Sequence, residues 1–434
     1  MKKHCLLCLV FVNMVAGLYA QSVAINTDGS NADASAILDV KSTDKGVLIP
    51  RLTAVQRMAI ANPAKGLLVF QTEPVPAFCY YNGMAWINLG NGNAITAEGY
   101  SSNYGFVTTF AGSGNAVSED GIGTAASFPG PIGIATDTKG NFYVASVGAS
   151  SVQKITSTSI VSTLAGVWDV DGYVDGTGTT ARFNNLIGMV ADSSGNLYVT
   201  DNRNALIRKI TPGGLVTTIA GRQGISNSID GDSTTTASFR DPYAITRDAS
   251  GNLYVCQRVD HTVRKIDTAK RVTTIGGISG GPGLANGNYL TDNTFFRNPS
   301  GITVDAAGNV YIADEGNHVI RKIDPAGNIT TFAGTGSPGA SDGTLTTATF
   351  NLPTAIVIDP GGNFFVADRG SHTIRKISTT GIVSTIAGTG LPGYVDGSDV
   401  SASFNRPSGL ALDPQGNLYV ADQFNQRVRK IFLH

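Results

Sequence analysis

The stretch that decides the fold is Asp305-Ala306-Ala307-Gly308-Asn309-Val310-Tyr311-Ile312-Ala313-Asp314, followed by Val319-Ile320-Arg321-Lys322-Ile323. An Asp-x-x-Gly-Asn turn opens an apolar and aromatic strand, and Arg-Lys-Ile closes the next one. The same pattern occurs six times, with the Gly of Gly-Asn at 140, 195, 251, 308, 362 and 416. Successive spacings are 55, 56, 57, 54 and 54 residues. A period that steady means one supersecondary unit built repeatedly, so the repeat sets the architecture before any single residue is weighed.

Outward from the quoted stretch, each unit offers four strand-like segments. In the fourth unit they are Gly301-Ile302-Thr303-Val304, Asn309 to Ala313, Val319 to Ile323 and Ile329 to Gly334. β-Branched and aromatic residues fill them, and Gly, Asn, Asp and Pro separate them. Four antiparallel strands per unit with radial repetition specify an all-β fold, a six-bladed β-propeller. The sixth unit stops at Arg429-Lys430-Ile431, before its fourth strand. Phe106-Val107-Thr108-Thr109-Phe110-Ala111-Gly112 supplies the missing strand, matching Val216 to Gly221. The N-terminal strand is therefore expected to complete the last blade and remove its open edge.

The chain has 434 residues, 53 of them Gly, and a formal charge of -1 without long runs of one sign. That excludes the electrostatic footprint of a nucleic-acid binder. Residues 106–434 hold 24 Lys+Arg against 26 Asp+Glu, and 24 of those acids are Asp, a turn former. Lys2 and Lys3, the apolar run from Leu6 to Leu18 and Leu18-Tyr19-Ala20 read as a cleaved signal over residues 1–20. The run is too short for a comfortable transmembrane segment. The expectation is export to the periplasm, cell surface or medium. Cleavage leaves Cys79 and Cys256, in different modules, with no metal-site spacing.

Residues 21–92 carry no repeat and read as a small α+β module. Thr53 caps a helical stretch to Ile60, Gly66 to Gln71 reads as a strand, and Phe78 to Tyr81 and Met84 to Ile87 form a hairpin about Asn82-Gly83. Ser35 to Val40, Lys45 to Arg51 and Tyr81 to Trp86 resemble an N-terminal module of secreted, tail-fibre-like bacterial proteins. That resemblance implies attachment or oligomerisation. Residues 93–105 read as a linker and 106–434 as the propeller.

The unit Pro299-Ser300-Gly301-Ile302-Thr303-Val304-Asp305, continuing to Asp314, Asn317-His318 and Arg321-Lys322-Ile323, resembles the NHL repeat. The units are longer than a compact NHL repeat, and the extra length lies between blades, ending at Phe128, Phe183, Phe239, Phe296, Phe350 and Phe404. The resemblance implies partner-binding and RNA-binding scaffolds, with calcium- or zinc-dependent lactonases and lyases among related propellers, so the fold does not select a function.

In a four-stranded blade, the loops between strands two and three share a face with the long inter-blade loops. That face carries the candidate binding residues Arg203, Asn204, Arg258, His261, Glu315, Asn317, His318, Arg369, His372 and Asn425. His261, His318 and His372 occupy one template position, which holds Gln426 in the sixth unit, so three zinc ligands are not the expected reading. Asp201/Arg208, Asp314/Arg321, Asp368/Arg375 and Asp422/Arg429 read as ion pairs between adjacent strands. The turn acids Asp137, Asp192, Asp248, Asp305, Asp359 and Asp413 read as structural. No cofactor is expected, with calcium on the inter-blade Asp-Gly loops as the alternative. The tunnel walls, Gly133 to Thr136 and their five counterparts, carry one charge, Arg247. No catalytic constellation is legible. The expected function is a secreted, non-catalytic scaffold presenting its loop face to a protein or glycan. The alternative is a metal-dependent propeller hydrolase or lyase.

Overall fold

The computed structural model describes residues 23–26, 30–31, 38–42, 47–72, 77–83, 86–89, 105–398 and 401–433. The signal segment lies outside the described residues. The chain divides into two compact units between Tyr100 and Ser101.

The first unit pairs Val23–Asn26 with Leu38–Lys41 in parallel, and builds a four-stranded sheet from Arg51–Leu52, Leu68–Gln71, Ala77–Tyr81 and Trp86–Asn88. Its helix, Ala54–Met58, starts from a capping box: the Gln56 N–H donates to Thr53 Oγ1, and the Thr53 N–H donates to Gln56 Oε1. Buried Arg57 donates to Gln71 and lies over Trp86. The hairpin departs from expectation. Tyr81 pairs with Trp86, so the connection has four residues rather than the two of Asn82-Gly83. Met84 and Ala85 lie outside the described residues.

The second unit holds six antiparallel sheets. Their inner strands are Pro131–Thr136, Leu186–Ala191, Pro242–Arg247, Pro299–Val304, Pro353–Ile358 and Pro407–Leu412. Each packs against the next, and the sixth packs back on the first, closing a ring. The closure is as the sequence requires: Val107–Ala111 is the outer strand of the sixth sheet, with Val428 opposite Ala111 and Ile431 opposite Val107. The inter-blade loops add a feature absent from the four-strand reading. Gly121–Ile122, Gly176–Thr177, Gly231–Asp232, Gly287–Asn288 and Gly343–Thr344 each pair along the outer edge of the next sheet as a fifth strand.

The cores lie between neighbouring sheets. One joins Tyr143, Ala145 and Val152 to Leu186, Leu197 and Val199 across the first two. All six loop phenylalanines, Phe128, Phe183, Phe239, Phe296, Phe350 and Phe404, are fully buried there. An inner-strand position holds Gly133, Gly188, Gly301 or Gly409 because a Cβ there would meet the backbone of the next inner strand.

Candidate functional site

The site begins with the loop after the second strand. In the fourth sheet, Val310–Asp314 ends in a 3-10 turn, Glu315–Asn317, and His318 takes φ +57° before the third strand, Val319–Ile323. Asp314 organises this turn. Its Oδ1 accepts the Arg297 N–H at 2.7 Å, and its Oδ2 accepts the Asn317 amide at 2.7 Å and Arg321 at 3.3 Å.

The strand-pair ion bridges read from the sequence are present and larger than expected. Arg208, Arg321, Arg375 and Arg429 are fully buried and paired with Asp201, Asp314, Asp368 and Asp422. Each stacks on a loop phenylalanine, as Arg375 does on Phe350 at 5.3 Å. In the third sheet Gln257 takes the Asp position, and its Oε1 accepts Arg264 at 2.8 Å. The inter-blade acids Asp175, Asp230, Asp342 and Asp396 bind the second guanidinium nitrogen of Arg208, Arg264, Arg375 and Arg429. They also accept Thr side chains, as Asp342 does from Thr385. These are the loops carried as calcium candidates. Burial pushes the Asp368 carboxyl up to about 7 and those of Asp201, Asp314 and Asp422 up to about 6, against the pull of their hydrogen bonds and guanidinium partners.

The turn acids also hold structure. Asp137 accepts the N–H groups of Lys139 and Asn141, the Asn141 amide and the Tyr143 hydroxyl. Burial and the Asp137 charge raise the Tyr143 phenol.

The ten candidate residues separate by role. Asn204, Asn317 and Asn425 tie their turn Asp to an inter-blade carbonyl: Asn204 donates to Gly172 O at 2.6 Å, Asn317 to Gly283 O at 2.6 Å and Asn425 to Gly393 O at 2.5 Å. These bonds place the two loop sets on one face. The three histidines are inter-blade latches. Nδ1 of His261, His318 and His372 accepts the N–H of Asn298, Leu352 and Arg406, each at 3.1 Å. Burial lowers all three imidazoles, which keeps Nδ1 free to accept. Gln426 does the same work with Oε1 on the Gly130 N–H. Arg203 is exposed, and its guanidinium meets no partner among the described residues.

Arg258, Glu315 and Arg369 do come together, although they are 57 and 54 residues apart in sequence. Arg258 Nε and Nη2 donate to the two Glu315 oxygens at 2.9 and 3.1 Å. The Ser300 hydroxyl donates to the same carboxylate. Arg369 Nη1 lies 3.6 Å from Glu315 Oε1 on the other side. Arg258 stacks over Tyr243 at 5.4 Å. Tyr243 and Ser300 line the axial channel, a cavity of about 290 Å³. Burial pushes the Tyr243 phenol up to about 12, so it remains a donor at neutral pH. Sequence reading missed Tyr243 and Ser300 because it began each wall one residue too late, at Ala244 and Gly301. The residue before that small position is Ile132, Ile187, Tyr243, Ser300, Thr354 and Ser408 round the ring, and this change of character was the available signal.

The resemblance to the NHL repeat implies calcium or zinc among related propellers, and the channel mouth does not fit a divalent cation. Its acid, Glu315, is already held by two guanidinium groups and a hydroxyl, and the wall below offers aliphatic groups and hydroxyls. Among the described residues no three His, Cys, Asp or Glu side chains converge.

The geometry defines a closed β-propeller with one chemically distinct channel mouth. The chain belongs to the SMP-30/gluconolactonase/LRE-like family, whose profile matches residues 115–338. Residues 350–377 and 404–431 match the NHL repeat, and residues 24–103 match a phage tail-like trimerisation region. Protein SUPPRESSOR OF QUENCHING 1, chloroplastic, of Arabidopsis thaliana is 28% identical over 280 residues, 61% of this chain and 26% of that protein. This chain thus spans about a quarter of that relative's length. Two solved structures described as auxiliary nutrient binding proteins share the fold. The one from Bacteroides ovatus has a TM-score of 0.57 at 20% identity, covering 82% of this chain and 85% of that one. The one from Bacteroides thetaiotaomicron has 0.56 at 18%, covering 82% and 87%. Among the described residues no helix is long and apolar enough to cross a membrane.

Proposed function

We propose that this chain is an exported, non-catalytic binding protein that presents its loop face and channel mouth to a protein or glycan, with the N-terminal module anchoring or oligomerising it. The observation that carries this reading is the Arg258–Glu315–Arg369 cluster. Most repeated charges of the ring are committed to holding blades together, whereas this cluster breaks the repeat and adjoins the channel wall through Tyr243 and Ser300. Charged, partly exposed groups on a rigid scaffold suit recognition. Family membership favours the second reading, a hydrolase or lyase, but that chemistry needs acid or base groups converging at the axis.

Capture tests the reading. The purified full chain, immobilised, is exposed to envelope extract and spent medium of its own source. Arg203→Ala and Arg369→Ala should reduce the captured partner, while Lys139→Ala, on the opposite face, leaves it unchanged. Equal capture by all three variants places the contact elsewhere and overturns the reading.

A further inference from the structure

Arg369 and Tyr243 share an unmet need at the channel mouth. The Arg369 side chain is only 24% exposed, yet its one charged neighbour within 4 Å is a Glu315 oxygen at 3.6 Å. That carboxylate is already filled by the Arg258 fork and the Ser300 hydroxyl. A guanidinium carries five N–H donors, and those of Arg369 make no hydrogen bond among the described residues. The Tyr243 hydroxyl makes none either, although it is a donor on the channel wall. Both groups are part-buried, and their donors are open to a ligand acceptor because no protein group among the described residues supplies one.

The charges nearby set the sign of what fits. Arg258 and Glu315 satisfy each other, which leaves Arg369 with donors to spare. The oxygens of Asp241, the other acid near Tyr243, are taken by the Asn202 amide at 2.7 Å and the Val259 N–H at 3.1 Å. Below the donors the channel is lined by Met189, Ile245, Ile302 and Ile356. Those walls offer a ligand apolar contact and little hydrogen bonding. A neutral sugar would leave the guanidinium charge uncompensated, and a bare inorganic anion would leave the aliphatic wall uncovered.

We infer that the channel mouth binds a carboxylate carried on an apolar body, with the carboxylate held by Arg369 and Tyr243 and the body lying against the aliphatic wall. This deepens the binding reading above and rests on it. Arg258 acts as a positioning residue: its fork on Glu315 and its stacking on Tyr243 fix both groups. Charge-assisted, forked contacts of guanidinium to carboxylate are the strong ones.

Calorimetry on the full chain tests this with hexanoate, acetate, 1-hexanol, hexylammonium and inorganic phosphate. Hexanoate should bind, acetate more weakly, and the alcohol and amine not at all. Arg369→Met and Tyr243→Phe should each weaken hexanoate about tenfold, the loss of one hydrogen bond to a charged group. Tyr243→Phe keeps the ring beneath Arg258, so a matching melting temperature shows that the loss is not unfolding. Lys139→Ala, on the opposite face, should leave hexanoate binding unchanged. No heat with hexanoate, equal heat with 1-hexanol, or tighter binding of phosphate than of hexanoate overturns the assignment. A short peptide ending in free Leu, beside its C-terminal amide, separates the sources. Binding of the free acid alone, more tightly than hexanoate, identifies a peptide C-terminus; weaker binding identifies a small free acid. If hexanoate fails while Arg203→Ala still reduces partner capture, the carboxylate pocket falls and the loop-face reading stands.

Discussion

Nδ1 of His318 accepts the backbone N–H of Leu352, 3.1 Å away and 34 residues further along the chain, so one imidazole latches the fourth blade to the fifth. Both residues sit at positive φ, +57° for His318 and +55° for Leu352, so the latch joins two left-handed turns that the ring repeats. In the sixth blade Gln426, at +56°, latches Gly130 through its amide oxygen. His318→Gln should therefore keep the latch. His318→Ala should cost about 1 kcal/mol, the net worth of one hydrogen bond. Thermal melts of the two variants check this, and equal losses would show that the bond contributes nothing.

The latch histidines also set a pH dependence. Burial lowers their pKa in the folded chain below the ordinary value of 6.5. A depressed folded pKa gives stability that is present above the unfolded value and lost as pH falls through the folded one. The triple variant His261→Gln, His318→Gln, His372→Gln should lose less melting temperature than the wild type between pH 7 and pH 5. Parallel profiles would exclude the histidines as the titrating groups.

The buried ion pairs are asymmetric in what they tolerate. Arg375 bonds Asp368, Asp342 and two backbone carbonyls while stacking on Phe350. Arg375→Ala leaves a buried acid unpaired, a change of the kind that costs about 3–5 kcal/mol. Asp368→Gln should cost much less, because the third blade already pairs Gln257 with Arg264. Asp368 also titrates near 7, raised by burial. A raised folded pKa gives stability that is lost as pH rises through it. Asp368→Gln should therefore gain melting temperature relative to the wild type as pH rises from 5 to 8. Parallel profiles would show that Asp368 stays ionised throughout.

The fold was legible because the ring repeats its own chemistry. Asp137, Asp201 and their copies read as turn and strand-pair residues, and the contacts agree. The site was legible only in part. Arg258, Glu315 and Arg369 were among the candidate residues of the loop face, yet nothing in their spacing says that they meet. Their contact depends on the ring radius and on side chains leaning toward the axis. His261 and Asn317 occupy the same loops and point between blades instead. Template position alone cannot separate a latch from a mouth residue, because both sit within four residues of one turn. Tyr243 lay hidden because a single aromatic at a strand start resembles core.

Closure supplies the last prediction. Val107–Ala111 completes the sixth sheet, and its Phe110 packs edge-on against Tyr419 at 4.9 Å and Phe142 at 5.4 Å. The strand thus joins the sixth sheet to the core it shares with the first. Thr109 also binds Asp396, which in turn holds Arg429. Deleting residues 106–112 should open the edge of Arg427–Ile431, lower the melting temperature and promote association through the exposed strand. Phe110→Ala keeps the strand and removes only the ring contacts, and should cost about 3 kcal/mol, at the low end for a buried aromatic because Phe110 is partly exposed. Melting and light scattering together read both outcomes. A deletion variant that melts with the wild type and stays monodisperse would show that the ring holds without this strand.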